Sequence, residues 1–359
     1  MSDEVLQELN DLLANSDKLW ITRKRKINTK ILFDIMSKVI AKNNGIKHVI
    51  SYDQFNNQNY DSISDAAICK ARNKCDPIIF DNIKKSIISK FNNNKNIFAV
   101  DGSKFHLPDS YSELGFTTRS PKSKKILGMI STIYDITSKI PLNTLLCKHH
   151  NERLAITQQL NSIPKGSILI FDRGYYSKDL VKTLERNNIR YLFRLKRDAN
   201  NSIKKFYRNN KNINKTINVG NHKMRLFKYF IDGKQYLCGT NINSSINRLK
   251  KLYKLRWSVE EGFKIMKSRL SFKKIHSKSE ILLKQEISIR ELLFVVSRFI
   301  QITTKITKKF KRKHYSPSFK LIIDFIISFD TLTLIDMIYD FNIILCSNQH
   351  ITVPNRRRI

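Results

Sequence analysis

The chain has 359 residues, and its 66 lysines and arginines outnumber its 30 aspartates and glutamates, which leaves a formal net charge of +36. Apolar residues make up 41% of the sequence, so a sizeable core can form, which argues against wholesale disorder. A charge of this size costs self-repulsion unless a polyanion neutralises it. Nucleic acid is therefore the favoured partner, with general solubility charge as the alternative.

The cysteines and the apolar runs indicate the compartment. Five cysteines are scattered without the spacing of a zinc site, which is typical of reduced core cysteines in a reducing compartment. The acidic, amphipathic start MSDEVLQELNDLL is unlike a signal peptide, and no uninterrupted apolar run reaches membrane-spanning length. We expect no membrane partner and a cytoplasmic protein, associated with the nucleoid in a bacterial host or nuclear in a eukaryote.

Residues 1–92 are predicted to be helical. The segments DEVLQELNDLLA and TKILFDIMSKVIA place apolar residues at helical spacing. The segment SISDAAICKARNKCDP gives a helix cap at Ser64 and a stop before Pro77. The basic stretch TRKRK at 22–26 lies beside these helices, and DNA binding and a plain helical bundle fit this region equally well.

From residue 93 onward, short apolar runs alternate with helical patterns. NIFAVDGS, SILIFDRGYYS and IRYLFRLK are typical of strands, and two further strands meet around a turn near Thr137–Lys139. NERLAITQQLNSI and SKDLVKTLERNN are typical of helices. The order of strand, hairpin, helix, strand, helix and strand predicts a mixed α/β sheet. A β-rich insertion at about 197–245 follows, with a hairpin turn at Asp232–Gly233.

Three regions are therefore expected. The first is the helical region at 1–92, the second is an α/β domain at 93–300 that includes the insertion, and the third is a basic, helical C-terminal region at 301–359. The third region contains the basic run TKKFKRKH at 307–314, for which DNA contact and solvated surface are both open.

Two of the predicted strands end in an acid. Asp101 follows the run IFAV and Asp172 follows the run ILIF. Strand ends lie at the edge of an α/β sheet, where binding sites collect. A single Asp in such a place is more often a helix cap or a turn residue. Two such acids, joined by a carboxylate on a later helix, form a more specific pattern.

The stretch YKLRWSVEEGFKIMK at 253–267 supplies the later carboxylate. On one continuous helix that turns about 100° per residue, Arg256, Glu260 and Lys267 fall near Tyr253 within an arc of roughly 60°, beside an apolar face. An Arg256–Glu260 pair alone would contribute only a few tenths of a kcal/mol on any exposed helix. Three carboxylates brought together would repel one another, and a hard divalent cation would relieve that repulsion.

The spacing Tyr253-x2-Arg256-x3-Glu260-x6-Lys267 resembles the YREK signature of insertion-sequence DDE transposases of family four. VDGSKFHLPDS and FDRGYYSKDL, around the two aspartates, resemble the first and second acidic motifs of that family. SISDAAICKARNKC resembles a motif of its N-terminal helical domain, and the order of segments agrees from about residue 60 to about residue 300.

The resemblance implies a ribonuclease-H-like catalytic core, in which Asp101, Asp172 and Glu260 are catalytic and bind two Mg²⁺ ions, with Mn²⁺ as a substitute. Water then attacks the phosphodiester at the end of the element, and the freed 3′-OH is joined to target DNA, in this family by way of a DNA hairpin. The implied partners are double-stranded DNA, both terminal inverted repeats and target, and a second copy of the chain in the DNA complex.

Six residues are expected to contact DNA: Tyr253, Arg256, Lys267, Arg173, Lys104 and Trp257. The first three are implied by the resemblance, as residues that hold phosphates near the cleaved end. For Arg173 and Lys104 the alternative is surface charge. Trp257 could stack on a displaced base, with packing against the sheet as the alternative.

Two other functions remain open. A metal-dependent nuclease or resolvase with the same fold would hydrolyse DNA without joining strands. A non-catalytic DNA-binding protein descended from a transposase would need no intact acidic triad, but all three acids are present here.

Overall fold

The structure is a computed structural model. It describes residues 2–23, 25–55, 63–90, 96–118, 122–209, 211–272, 275–303 and 318–328. The chain forms two compact units. The helical unit comprises Met1–Asn92, His106–Leu114 and Lys264–Ile359, and the sheet unit comprises Asn93–Phe105 and Gly115–Phe263.

The predicted division at residues 92 and 300 stays a prediction. In the structure, residues from Lys264 onward group with the N-terminal helices rather than with the sheet. Most of the region 301–359, including the basic run at 307–314, lies outside the described residues.

The N-terminal helices arise from the expected local signals. Ser64 accepts a hydrogen bond from the backbone N–H of Ala67, as the predicted cap requires. Asn28 caps another helix by accepting from the N–H of Ile31. The helices of this unit are α1 (Ser2–Asn15), α2 (Thr29–Lys42), α3 (Ile46–Phe55), α4 (Asp65–Lys74), α5 (Ile78–Ser89), α11 (Glu280–Thr303) and α12 (Phe319–Ser328), together with the C-terminal part of α10 (Trp257–Arg269).

Helix α11 is the centre of the helical unit. Its residues from Gln285 to Ser297 are all buried, and α1, α2, α5 and α12 pack on it. A helix that is buried on all sides has to bring its polar side chains into the core with it, and each of them needs a partner.

Buried ion pairs meet that need. Glu286, which is fully buried, lies 3.0 Å from the Arg290 guanidinium and 3.5 Å from that of Arg72 on α4. Glu291 accepts from the ammonium group of Lys84 on α5 at 2.5 Å. Each charge would be costly alone at this depth, so the pairs fix which faces of α4, α5 and α11 meet.

The sheet unit holds one mixed sheet of eight strands in the order β3-β2-β1-β4-β5-β8-β7-β6. Strands β1, β4 and β5 run parallel, whereas β2 with β3, β5 with β8, β8 with β7 and β7 with β6 are antiparallel. The predicted mixed α/β architecture is confirmed. The strands are β1 (Ile97–His106), β2 (Leu127–Asp135), β3 (Ile140–Cys147), β4 (Ile168–Phe171), β5 (Arg190–Arg194), β6 (Asn214–Val219), β7 (His222–Ile231) and β8 (Lys234–Thr240).

Four further helices belong to this part of the chain: α6 (Glu152–Gln159), α7 (Lys178–Arg186), α8 (Asn201–Arg208) and α9 (Ile246–Lys254). The β-rich insertion begins with α8, which the sequence analysis did not predict, and its three strands continue the main sheet. Asp232 and Gly233 both adopt positive φ, 48° and 72°, as the predicted tight hairpin between β7 and β8 requires.

The cysteines follow the sequence expectation in part. Cys75, Cys147 and Cys238 are buried, whereas Cys69 is exposed, and these four thiols form no disulfide. Cys346 lies outside the described residues. Within the described ranges, no helix has the length and apolar character needed to cross a membrane.

The buried ion pairs generate a prediction for stability. Replacing Glu286 by Gln leaves the guanidinium groups of Arg72 and Arg290 without a counter-charge in the core, so we expect a loss of about 3 kcal/mol. The free energy of unfolding, from urea titration followed by circular dichroism, measures the effect. Glu280→Gln on the same helix is the matched control, because its partner Lys284 is half exposed and such pairs contribute under about 1 kcal/mol. Equal urea midpoints for the two variants would contradict the account.

Candidate active site

The register of the parallel strands brings the two predicted aspartates together. Val100 on β1 pairs with Phe171 on β4, so the next residue on each side, Asp101 and Asp172, lie next to each other at a strand spacing of about 4.8 Å. Asp172 follows the end of β4, as predicted. Asp101 does not end its strand, because β1 continues to His106.

The predicted single helix across 253–267 is wrong. Helix α9 ends at Lys254 and α10 begins at Trp257. In the turn between them, the N–H of Arg256 donates to the carbonyl of Tyr253 at 3.1 Å, and the N–H of Val259 donates to that of Arg256 at 3.1 Å. These three-residue spacings are tighter than those of an α-helix, and Leu255 and Arg256 form a turn between the two helices.

The Arg256 side chain lies at the centre of the site. It is only 4% exposed. Its Nη2 donates to Glu260 Oε1, and its Nη1 is 3.8 Å from Asp101 Oδ2. The guanidinium carbon is 5.9 Å from the centre of the Tyr253 ring, a cation–π contact. The buried guanidinium of Arg256 therefore contacts two of the three carboxylates.

Tyr253 reaches the third carboxylate. Its hydroxyl donates to Asp172 Oδ1 at 3.3 Å. Tyr253 and Arg256 thus connect Asp101, Asp172 and Glu260, residues from two strands and a helix, into one polar cluster. The roles that the resemblance implies for these residues stay predictions.

The electrostatics of Asp101 are unusual. Burial raises the pKa of its carboxyl to about 6, although Arg256 and the N–H of Gly102, which donates at 2.9 Å, both lower it. The neighbouring carboxylates of Glu152 and Glu260 raise it further. The Arg256 guanidinium does not offset the effect of burial on this carboxyl, and a bound cation would favour its charged form.

The donors fit a hard divalent cation in their chemistry. All three are carboxylates, the ligands that Mg²⁺ prefers. Within the described ranges, no three His, Cys, Asp or Glu side chains lie near enough to one another to hold one ion. The carboxylates of Asp101 and Glu260 instead share the guanidinium of Arg256, so the cation that holds them together is a side chain of the protein itself.

The other predicted DNA-binding residues lie around this cluster or away from it. Lys104 is half-buried on β1, and Arg173 is exposed directly after Asp172. Trp257 is 54% exposed at the first residue of α10, and both roles considered for it stay predictions. Lys267, near the end of α10, belongs to the helical unit.

Two neighbours of the cluster were not predicted. Glu152 lies at the start of α6 and Tyr175 in the turn after Asp172. An acid in the first turn of a helix is a common favourable interaction with the helix dipole. Nothing in the sequence distinguishes Glu152 from that ordinary case, because its position against the site depends on contacts distant in the chain.

The chain is similar to known proteins in its sequence and in its fold. Residues 92–295, more than half of the chain, match the family model described as Transposase DDE domain. A protein of Escherichia coli (strain K12) with the name "Putative transposase InsZ" is 28% identical over 97 residues, which cover 25% of this chain and 32% of that protein. The chain thus spans about a third of the length of this curated relative.

A solved structure of similar fold is that of piggyBac transposase in a synaptic complex with hairpin DNA. The two share 13% identity with a TM-score of 0.51, over 96% of this chain and 82% of the other. At this identity the likeness concerns the fold, and it confirms the predicted ribonuclease-H-like architecture. The assignment to family four stays a prediction. The chain belongs to the transposase DDE domain family.

Proposed function

We propose that the protein is a DNA transposase, which cleaves the ends of a mobile DNA element by metal-dependent hydrolysis and joins the freed 3′-OH ends to target DNA. The observation that supports this best is the cluster in which Tyr253 and Arg256 hold Asp101, Asp172 and Glu260 together. The family as a whole depends on divalent metal. A structural ion pair on an exposed helix would not need two further acids from neighbouring strands.

The three carboxylates are the proposed ligands of two Mg²⁺ ions, with Mn²⁺ as a substitute. When bound, such a pair of ions would activate a water molecule and stabilise the leaving oxygen. Within the protein, the side chains of Tyr253 and Arg256 link the three acids to one another. Tyr253 orients Asp172, and Arg256 neutralises Asp101 and Glu260.

Arg256 is also the proposed phosphate ligand. Its Nε is buried and has no hydrogen-bond partner among the described residues. A guanidinium presents its N–H groups as a planar fork that matches phosphate oxygens. If a bound metal shared the charge of the carboxylates, the Arg256 guanidinium could turn its fork to a phosphodiester.

Other residues are proposed to guide the DNA. Arg173 and Lys104 follow the two aspartates closely and suit phosphate contacts. Trp257 exposes more than half of its surface and suits stacking with a base that has left the duplex. Lys267 is proposed as a point charge for phosphate near the cleaved end.

The helical region at 1–92 is the proposed DNA-binding domain. It contains a cavity of about 540 Å³ whose walls include Trp20 and the cations Arg25, Lys26, Lys70 and Lys74. A groove that is lined by cations and an aromatic residue favours nucleic-acid binding over the alternative of a plain helical bundle. The partners we propose are terminal inverted repeats, target DNA and a second copy of the chain, in the nucleoid or a nucleus.

The central test uses Glu260. We expect Glu260→Gln, and separately Asp172→Asn, to reduce cleavage of a duplex from the DNA that flanks the gene at least 10³-fold with Mg²⁺, because an amide is a poor metal ligand. Binding to the same duplex should change little. Glu261→Gln, an exposed neighbour, is the matched control and should cleave normally.

Joining of the ends separates the alternatives. A transposase links the cleaved ends to a target plasmid, whereas a nuclease of the same fold only releases them. Full cleavage by Glu260→Gln would overturn the assignment of the site. A wild-type protein that binds the duplex but never cuts it would favour the non-catalytic alternative.

Lys267 has a test that depends on salt. Each phosphate neutralised by a protein cation adds about one to the slope of log affinity against log salt. We expect Lys267→Ala to weaken duplex binding and to reduce that slope by about one. Lys165→Ala is the control, because Lys165 is exposed and lies away from the acidic cluster. It precedes the amino end of β4, whereas Asp172 follows the carboxyl end. An unchanged slope for Lys267→Ala would remove this residue from the phosphate ligands.

The raised pKa of Asp101 predicts that its charged carboxylate destabilises the folded protein. A functional site would retain such a cost in stability. The folded protein binds this proton more tightly than the unfolded chain does, so stability falls as pH rises from about 4 to about 6. We expect Asp101→Asn to be more stable than the wild type by about 2 kcal/mol at pH 7.5, with the gain lost near pH 4.

Thermal unfolding in the presence of EDTA measures this difference. The expected rise in Tm is roughly 4–8 °C at pH 7.5. Asp198→Asn, at an exposed acid in a turn, serves as the control and should leave Tm unchanged. A lower Tm for Asp101→Asn at pH 7.5 would mean that the contact with Arg256 outweighs burial.

A further inference from the structure

A fourth carboxylate lies against the backbone of the site. Glu152 is the first residue of α6, and its Oε1 lies 2.9 Å from the point where a side chain on Gly102 would begin. Its Oε2 lies 3.9 Å from the corresponding point on Gly174. Gly102 follows Asp101 and Gly174 comes two residues after Asp172, so this carboxylate reaches the chain beside both predicted metal ligands.

The start of α6 is fixed in place. Asn151 caps the helix by accepting from the N–H groups of Arg153 and Leu154, each at 3.2 Å. The Arg153 side chain donates to the carbonyl of Gly174 at 2.9 Å, which ties the first turn of α6 to the loop after β4. Glu152 therefore approaches the site because its helix is anchored there.

A buried hydroxyl in the same place has no partner. Tyr175 is 1% exposed, its ring lies 5.5 Å from that of Phe171, and its hydroxyl makes no hydrogen bond among the described residues. The charged groups that act on this hydroxyl include Glu152, Asp101 and Asp172. A buried donor left unpaired is costly, which indicates that a polar group absent from the protein chain belongs beside it.

A role for Glu152 as a helix-dipole acid would not explain these observations. Such an acid can lie on any side of the first turn and needs neither a bare glycine beneath it nor an unpaired hydroxyl near it. Mg²⁺, by contrast, keeps several of its water molecules when it binds to proteins, and those waters donate hydrogen bonds to acceptor oxygens around them.

We propose that Glu152 is a fourth acidic residue of the divalent-cation site, and that with the Tyr175 hydroxyl it holds the water shell of a cation bound by Asp101 and Asp172. The inference rests on the proposed function. Residues that hold the surroundings of a metal typically change its affinity 10- to 100-fold when they are replaced. Glu152 and Tyr175 are positioning residues in this account.

The first test measures binding of Mn²⁺ itself, by electron paramagnetic resonance with full-length protein in the absence of DNA. We expect Glu152→Gln to raise the Kd for Mn²⁺ at least tenfold relative to Glu261→Gln, which removes the same charge at an exposed position. Tyr175→Phe should raise the Kd several-fold while Tm stays equal or rises, because the lost hydroxyl had no partner. Unchanged affinity in both variants would overturn the inference.

A second test moves Glu152 without altering charge. In Gly102→Ala the new methyl group would lie about 3 Å from the flexible Glu152 side chain, which has to turn aside. We expect Gly102→Ala to weaken Mn²⁺ binding about as much as Glu152→Gln does, and the double variant to be no weaker than either. Fully additive effects would mean that Gly102 acts by another route and would contradict the inference.

The outcome can be separated from that of the proposed function. If the wild type binds Mn²⁺ and cleaves DNA while Glu152→Gln binds Mn²⁺ like its control, only the role of Glu152 is wrong. If the wild type neither binds Mn²⁺ nor cleaves DNA, the metal site fails as a whole and Glu152 fails with it.

Discussion

The arrangement of the sheet unit depends on one buried guanidinium. Without Arg256, the carboxylates of Asp101 and Glu260 would have no positive charge beside them, and burial already raises the pKa of Asp101. Arg256 lies in the turn between α9 and α10, and from there its side chain contacts Asp101 and Glu260. Under the proposed function, this same side chain also binds phosphate.

The pairing of the parallel strands β1 and β4 positions the two aspartates of the cluster. Because β1 and β4 are neighbours in register, two acids distant in sequence are held side by side by main-chain hydrogen bonds rather than by side-chain packing. A rigid backbone fixes the position of the ligands more closely than loops would. The acidic cluster lies in a chain with a formal net charge of +36, and positive charge of this size favours association with polyanions.

Features with a local cause could be predicted from the sequence. The cap at Ser64, the turn at Asp232–Gly233 and the strand before Asp172 each depend on a few neighbouring residues, and all three are observed. The three acids were recognised from motif and spacing. Whether they bind metal is a question for the experiments above.

Features with a distant cause were missed. The break before Trp257 interrupts a stretch whose apolar spacing suits one helix, and it coincides with the contact of Arg256 with Asp101 on β1. Glu152 approaches Gly102 only because α6 is anchored to the loop that follows β4. Asp101 was placed at a strand end because the residues after it lack apolar character, yet pairing in the sheet extends the strand to His106.

The central helix of the helical unit has a consequence for synthesis on the ribosome. Its buried partners lie far apart in the chain, with Arg72 and Lys84 paired to Glu286 and Glu291 across more than two hundred intervening positions. At a translation rate of about 5–20 residues per second, the early helices wait roughly 10–40 s before α11 emerges. During that interval the early helices can pack on one another, but the apolar surface that α11 later covers stays exposed until the last third of the chain is made.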